Sequence, residues 1–205
     1  MDKFTKLTAP ACPMNSTNIN TDQIIPVRFL KSPRAEGYGK MLFNDLRFDP
    51  DGKEKDFPLN RPAWRNAKIV VGARNFGCGS SREAAVYALY DYGVRVVIAP
   101  SFGDIFSGNA IQNGLVLATV TDEEAAEIRA VLNRTPELPL TVDLEQQTIV
   151  CGNFITNFII DPVRRMRLLN GWDDIALTGS YRDRIAAFKT ADRARRPWAV
   201  PPDSP

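Results

Sequence analysis

Between residues 68 and 134, short β-branched runs alternate with stretches of helical period, the pattern of parallel strands joined by crossover helices. Residues 68–73 read as a strand, 82–92 as a helix stopped by Gly93, and 94–99 as a strand stopped by Pro100. These make a βαβ unit with a right-handed crossover. A short helix at 104–112, a strand at 115–120 and a helix at 122–133 follow, the last opened by the capping box Thr121-Asp122-Glu123-Glu124. The pattern then changes. Residues 140–144 and 148–151, around Glu145-Gln146-Gln147, predict an antiparallel hairpin, so the sheet is mixed. Asp161-Pro162 opens a further helix, with Pro at its first position and Gly171 beyond its end.

The first third lacks such periods. Asn18-Ile19-Asn20-Thr21-Asp22-Gln23-Ile24-Ile25-Pro26 reads as a turn entering a short segment, and the Gly- and charge-rich stretch 31–40 as a mobile surface loop. Asp49-Pro50-Asp51-Gly52 is a turn in a polar, loop-like region, and the ordered core is expected to start at Lys68. At the other end, residues 164–196 carry nine basic and four acidic residues. That extension reads either as a solvated amphipathic helix or as a docking arm for an acidic partner surface. The expected organisation is an α/β domain over 1–163, a basic helical extension over 164–196, and a proline-rich, disordered tail over 197–205.

Composition narrows the chemistry. With 205 residues, 44% of them hydrophobic and 24% charged, the chain supports one good core. A net charge of +2 gives no reason to expect nucleic acid or an anionic membrane as partner. The N-terminal residues lack an apolar signal core, and no run reaches the roughly 20 apolar residues of a membrane span, so a cytoplasmic location is expected. Cys12, Cys78 and Cys151 are scattered, with no C-x-x-C pair, which supports neither a disulfide framework nor a zinc site. The chain has no histidine at all, which removes the commonest general base and metal ligand.

Chemistry-bearing residues concentrate in the strand-to-helix turn Asn75-Phe76-Gly77-Cys78-Gly79-Ser80-Ser81-Arg82. Several readings compete there. Ser80-Ser81-Arg82-Glu83 is itself a capping box, which accounts for Ser80 and Glu83 but not for Gly77, Gly79 or Arg82. A nucleotide-binding loop lacks both G-x-x-x-x-G-K-[ST] and G-x-G-x-x-G spacing. A cysteine nucleophile at Cys78 has no histidine to pair with. A carboxylate site uses all the groups: helix-start N–H groups, two hydroxyls, and a guanidinium able to clasp a carboxylate. A serine held in that positive field is also a candidate base.

Asn75-Phe76-Gly77-Cys78-Gly79-Ser80-Ser81-Arg82-Glu83 resembles the swivel-domain signature of the aconitase superfamily. Asn20-Thr21-Asp22-Gln23-Ile24-Ile25-Pro26, Phe29-Leu30-Lys31, Leu59-Asn60-Arg61-Pro62, Ala99-Pro100-Ser101-Phe102 with Asp104-Ile105-Phe106, and Asn113-Gly114 are similar, in order and spacing, to small subunits of bacterial 3-isopropylmalate dehydratase. The resemblance implies a swivelling β/β/α domain of three layers acting with a separate large subunit, which carries a [4Fe-4S] cluster and the acid-base histidines. This chain itself is expected to bind no cofactor or metal. By the same resemblance Ser80 is the base that removes a proton alpha to a carboxylate, and Asp22 faces the site. Ser81 and Arg82 bind the carboxylate of a small dicarboxylate substrate, and Arg28, Phe29, Leu30 and Lys31 select the group on its third carbon. One position departs from the family pattern: Ala84 stands where histidine commonly follows the Ser-Ser-Arg-Glu run. Its expected place is the N4 position of the helix.

Overall fold

The computed structural model describes residues 1–199, the Glu36 side chain excepted; the rest of the expected tail, 200–205, lies outside the described residues. The chain divides after Gly171 into two compact units. The first contains strands β1 (Lys6–Pro13), β2 (Ile69–Val71), β3 (Val96–Ala99), β4 (Val116–Thr119), β5 (Pro139–Asp143), β6 (Thr148–Cys151) and β7 (Phe154–Asn157). Its helices are α1 (Thr21–Ile24), α2 (Asn44–Arg47), α3 (Glu83–Tyr92), α4 (Asp104–Gln112), α5 (Asp122–Arg134) and α6 (Pro162–Asn170).

The seven strands form one sheet in the order β4-β3-β2-β1-β5-β6-β7. Its β4-β3-β2-β1 half is parallel and its β1-β5-β6-β7 half antiparallel, the mixed sheet expected from the change of pattern. The expectation that order begins at Lys68 is corrected by β1, which joins the two halves. Residues from Lys6 to Pro10 pair with β5, and Ala11 to Pro13 pair with β2. Its small residues Ala9, Ala11 and Cys12 let it sit at the centre, buried on both faces. The sheet also curls until its edges meet: Thr119 and Ile159 exchange backbone bonds of 3.1 and 2.8 Å.

Alternation along the parallel strands separates two apolar layers. Ile69, Val71, Val96 and Ile98 pack with Leu140, Val142 and Ile149 of the antiparallel half and with Ile128 and Leu132 of α5. Val70 and Val97 face the other way, onto Val86 and Leu89 of α3, Phe106 of α4, and Ile24, Leu42 and Leu59 from the first third. The capping box predicted for α5 is present, Glu124 N donating to Thr121 Oγ1 at 3.1 Å and Thr121 N to Glu124 Oε2 at 2.7 Å. In α6, Asp161 caps the Arg164 N–H at 3.0 Å, and Leu168 is fully buried in the second layer.

The stretch 31–40 is fastened to α3 rather than free at the surface. Arg34 donates to Asp91 at 3.0 and 2.7 Å and lies over the Tyr87 ring. Gly39 packs so closely that an added Cβ would lie 2.5 Å from Tyr92 N and 2.6 Å from Asp91 C, a contact only glycine permits. The second unit begins at Trp172 and holds α7 (Asp174–Gly179), α8 (Arg182–Arg195) and a 3-10 turn at Pro197–Ala199. No residue of α7 or α8 is buried.

Candidate functional site

The glycine-serine turn follows β2 and is clamped between two neighbouring segments. Asn75 (φ 64°), Gly77 (φ 73°) and Gly79 (φ 95°) take left-handed conformations that turn the chain back on itself. On one side Phe76 N donates to Ser101 O at 3.0 Å, Gly103 N to Phe76 O at 2.9 Å, and Asn75 N to Ser101 Oγ at 2.9 Å. On the other, Gly77 N donates to Ile19 O at 2.7 Å and Thr21 N to Cys78 O at 2.9 Å. A Cβ at Gly77 would fall 2.3 Å from the Phe106 ring, and one at Gly103 would fall 2.4 Å from the Gly77 carbonyl oxygen. Two motifs distant in sequence, Asn20-Thr21-Asp22 and Ser101-Phe102, are thus the walls of the turn.

The capping-box reading of Ser80 does not hold. Helix α3 starts at Glu83 with Arg82 as its N-cap, in extended conformation (φ −142°, ψ 102°) and without a side-chain cap bond. Ser80 and Ser81 therefore precede the helix in exposed turn positions, and their hydroxyls have no partner among the described residues. Ser80 is fixed instead through its backbone, where its carbonyl accepts from Thr21 Oγ1 at 2.9 Å. Ala84 becomes the second helical position, N2 rather than N4, half-buried against the core.

Arg82 Nη1 pairs with Asp22 Oδ1, joining positions 60 residues apart. Asp22 sits in the first turn of α1, whose start is fixed by a reciprocal box: Gln23 N to Asn20 Oδ1 at 2.8 Å, and Asn20 N to Gln23 Oε1 at 2.9 Å. The Arg82 side chain is 14% exposed and that of Asp22 49%, so a largely covered guanidinium faces an accessible carboxylate. Ser80, Ser81, Arg82 and Asp22 are therefore brought together. Thr21, which holds Ser80, was not singled out in the sequence; its place beside Asp22 in the motif was the available signal. Asn113 is another, its Nδ2 donating at 3.0 Å to Glu83 Oε1 on the first residue of α3.

The Arg28–Lys31 segment stands differently. It lies in a 3-10 turn (Val27–Lys31) reached from α1 through Ile25 and Pro26. Arg28 is occupied by Asp45 and by Asn44 Oδ1 at 2.9 Å, and its guanidinium holds the Asp45 carboxyl below the usual range. Phe29 and Leu30 rest half-buried on the core, and Lys31 is exposed. No bond joins these four residues to the Ser80 turn among the described residues.

Among the described residues no three of His, Cys, Asp or Glu gather to hold a metal ion. Cys12 and Cys151 are buried, and burial pushes both thiols up, so neither presents a thiolate. What the turn does offer is an anion cradle, with one guanidinium, two free hydroxyls and the uncapped start of a ten-residue helix. No helix among the described residues is long and apolar enough to cross a membrane.

Known proteins are similar to this chain over nearly all of its length. The family model described as the aconitase C-terminal domain matches residues 1–123. The 3-isopropylmalate dehydratase small subunit of Rhodospirillum centenum is 47% identical over 203 residues, spanning 98% of this chain and 100% of that protein. That of Paramagnetospirillum magneticum is 47% identical over 201 residues, with 97% and 100% covered. Among solved structures, a 3-isopropylmalate dehydratase from Methanocaldococcus jannaschii superimposes with a TM-score of 0.62 at 24% identity, covering 90% of this chain and 99% of that one, which bears on the fold. Matched at 47% identity over nearly all of its length, the chain belongs to the family of 3-isopropylmalate dehydratase small subunits, in the aconitase superfamily.

Proposed function

We propose that this protein is the small, swivelling subunit of a hydro-lyase that interconverts 2-isopropylmalate and 3-isopropylmalate by dehydration and rehydration, a step of leucine biosynthesis in the cytoplasm. The observation that carries the reading is the Ser80-Ser81-Arg82 turn, whose hydroxyls are free and exposed beside an arginine tied to Asp22. Asp22 engages one guanidinium nitrogen, Nη1, and leaves the rest of the fork for a substrate carboxylate. Ser81 and the first N–H groups of α3 complete the cradle.

A carboxylate held there brings the carbon beside it to Ser80 Oγ. In the alkoxide form, favoured by Arg82 and the positive end of α3, that oxygen removes the alpha proton. The electron pair left on carbon forms the double bond as the neighbouring hydroxyl departs as water, taking a proton from an acid of the large subunit, and addition of water in the opposite sense, with that proton going back to the acid, gives the other isomer. Ser80, now protonated, returns its proton in the addition step. Asp22 orients Arg82. Phe29 and Leu30 supply apolar surface suited to a branched alkyl group, with Arg28 and Lys31 at the ends of that segment.

The [4Fe-4S] cluster that the family resemblance implies, a Lewis acid toward the departing hydroxyl, finds no ligand set among the described residues of this chain. It is assigned to the large subunit, and the work of this chain is anion binding and proton transfer. The test is turnover of the anaerobically reconstituted complex on isopropylmalates, citrate-like acids and methyl-substituted malates. Preference for the isopropylmalates is expected. Preference for another acid, or no turnover on any, would refute the assignment.

A further inference from the structure

At the far end of α3, roughly 15 Å along the ten-residue helix from the Ser80 turn, a cavity of about 480 Å³ opens between α2, the 37–40 turn and the helix C-terminus. Its charges do not balance. Two carboxylates line it, and each is taken: Glu54 by Arg65, with both bonds 2.6 Å, and Asp91 by Arg34, which lies outside the lining. The other two lining cations, Lys40 and Arg47, have no carboxylate partner among the described residues.

Arg47 is the telling group. It is only 6% exposed, a burial that ordinarily requires a counter-charge. Its Nε donates to Asn60 Oδ1 at 3.0 Å and its Nη1 to the Leu42 carbonyl at 3.3 Å, both neutral acceptors, while Nη2 has no partner among the described residues. Burial pushes this guanidinium below its usual range, which an anion beside it would reverse. Phe48 and Tyr92, whose ring centroids lie 4.9 and 5.1 Å from the Arg47 guanidinium carbon, give the cavity aromatic walls. Lys40 is exposed and its ammonium has no partner among the described residues, so it is available.

We propose that this cavity binds a small phosphate dianion, with Arg47 and Lys40 as the two positive contacts and Phe48 and Tyr92 admitting an apolar ester group. Two uncompensated cations match two negative charges. A single free guanidinium nitrogen beside an ammonium suits a compact oxyanion rather than a planar carboxylate, which prefers the two-nitrogen fork. The bound dianion would tie the 37–40 turn to α2 and steady the segment that begins at Arg28. The site is separate from the Ser80 turn in place and in ligand class.

The test is residue-resolved. The full-length, ¹⁵N-labelled chain is titrated with inorganic phosphate and with phenyl phosphate at ionic strength held constant with sodium chloride. Saturable shifts of the Gly37, Gly39, Lys40, Phe48 and Tyr92 amides are expected, at lower concentration for phenyl phosphate. Lys40→Glu, which removes no side-chain bond among the described residues, should weaken binding by about tenfold or more through reversal of one contact charge. Lys40→Arg should retain it. No saturable shift at these amides, shifts confined to residues 77–85, or unchanged binding by Lys40→Glu would each overturn the proposal. No turnover enters the readout, so its failure is distinct from failure of the reaction assay.

Discussion

Replacing Gly77 with alanine tests whether the Ser80 turn is held in shape by packing. The position has φ 73°, and the new Cβ would lie 2.3, 2.5 and 2.8 Å from three atoms of the Phe106 ring. Left-handed backbone costs an L-residue about 1–2 kcal/mol, and forcing a methyl into a filled core adds about 1–3, so Gly77→Ala should destabilise by about 2–5 kcal/mol. Against a total stability of about 5–15 kcal/mol that is a large shift in the urea midpoint of the isolated subunit. Phe106→Ala alone should also destabilise, by about 3–5 kcal/mol, through loss of a fully buried ring. In the double variant the ring that the methyl strikes is gone, so the two losses should add to less than their sum. A loss below about 1 kcal/mol for Gly77→Ala, or strict additivity, would refute the argument that the ring fixes the turn.

Arg82→Lys should keep the fold but raise KM for the isopropylmalates, because an ammonium pairs with Asp22 without offering a second nitrogen to the substrate; steady-state kinetics of the reconstituted complex checks this. Removing the residues beyond Thr178 should leave the urea midpoint of the remainder nearly unchanged, since α8 buries nothing, while weakening association with the large subunit in sedimentation. Unaltered association would remove the docking role of the basic arm. Asp143 is held below the ordinary aspartate range, chiefly by the Gln146 N–H at 2.9 Å and further by Lys6. Its folded value lies under its unfolded one, so its stabilisation is complete above the unfolded value and lost as pH falls through the folded one. The midpoint difference between wild type and Asp143→Asn should therefore be constant near neutrality and shrink below about pH 4.

The alternating strands and helices of the 68–134 region were legible because each was long, β-branched or capped enough to show its period. β1 was not: its sequence Lys-Leu-Thr-Ala-Pro-Ala-Cys-Pro has two prolines and no β-branched residue but Thr8, and it is a strand because small side chains fit between two layers. β7 follows β6 through the two-residue turn Gly152-Asn153, with Gly152 at φ 60°, and its four residues are too few to show an alternation of their own. The 31–40 stretch reads as mobile from its glycines, yet Gly39 is there for close packing on α3 rather than for freedom.

At the site, the residues of the turn pointed to an anion, composition showed that histidine is missing, and family resemblance supplied roles for single residues. The Asp22–Arg82 pair and the Thr21 support of Ser80 arise from tertiary contact across about sixty positions, which no local pattern encodes. The cap assignment of Ser80 failed for a local reason. Arg82 adopts extended backbone, so the helix begins later than the Ser-x-x-Glu spacing suggests.

That last point makes Ser80→Ala the most direct test of the account. Because its hydroxyl caps nothing, the substitution should leave the urea midpoint within experimental error while lowering kcat of the reconstituted complex by about 10²–10⁴, the range for loss of a general base. A loss of about 1 kcal/mol in stability with turnover retained would contradict it, returning Ser80 to the role of a helix cap.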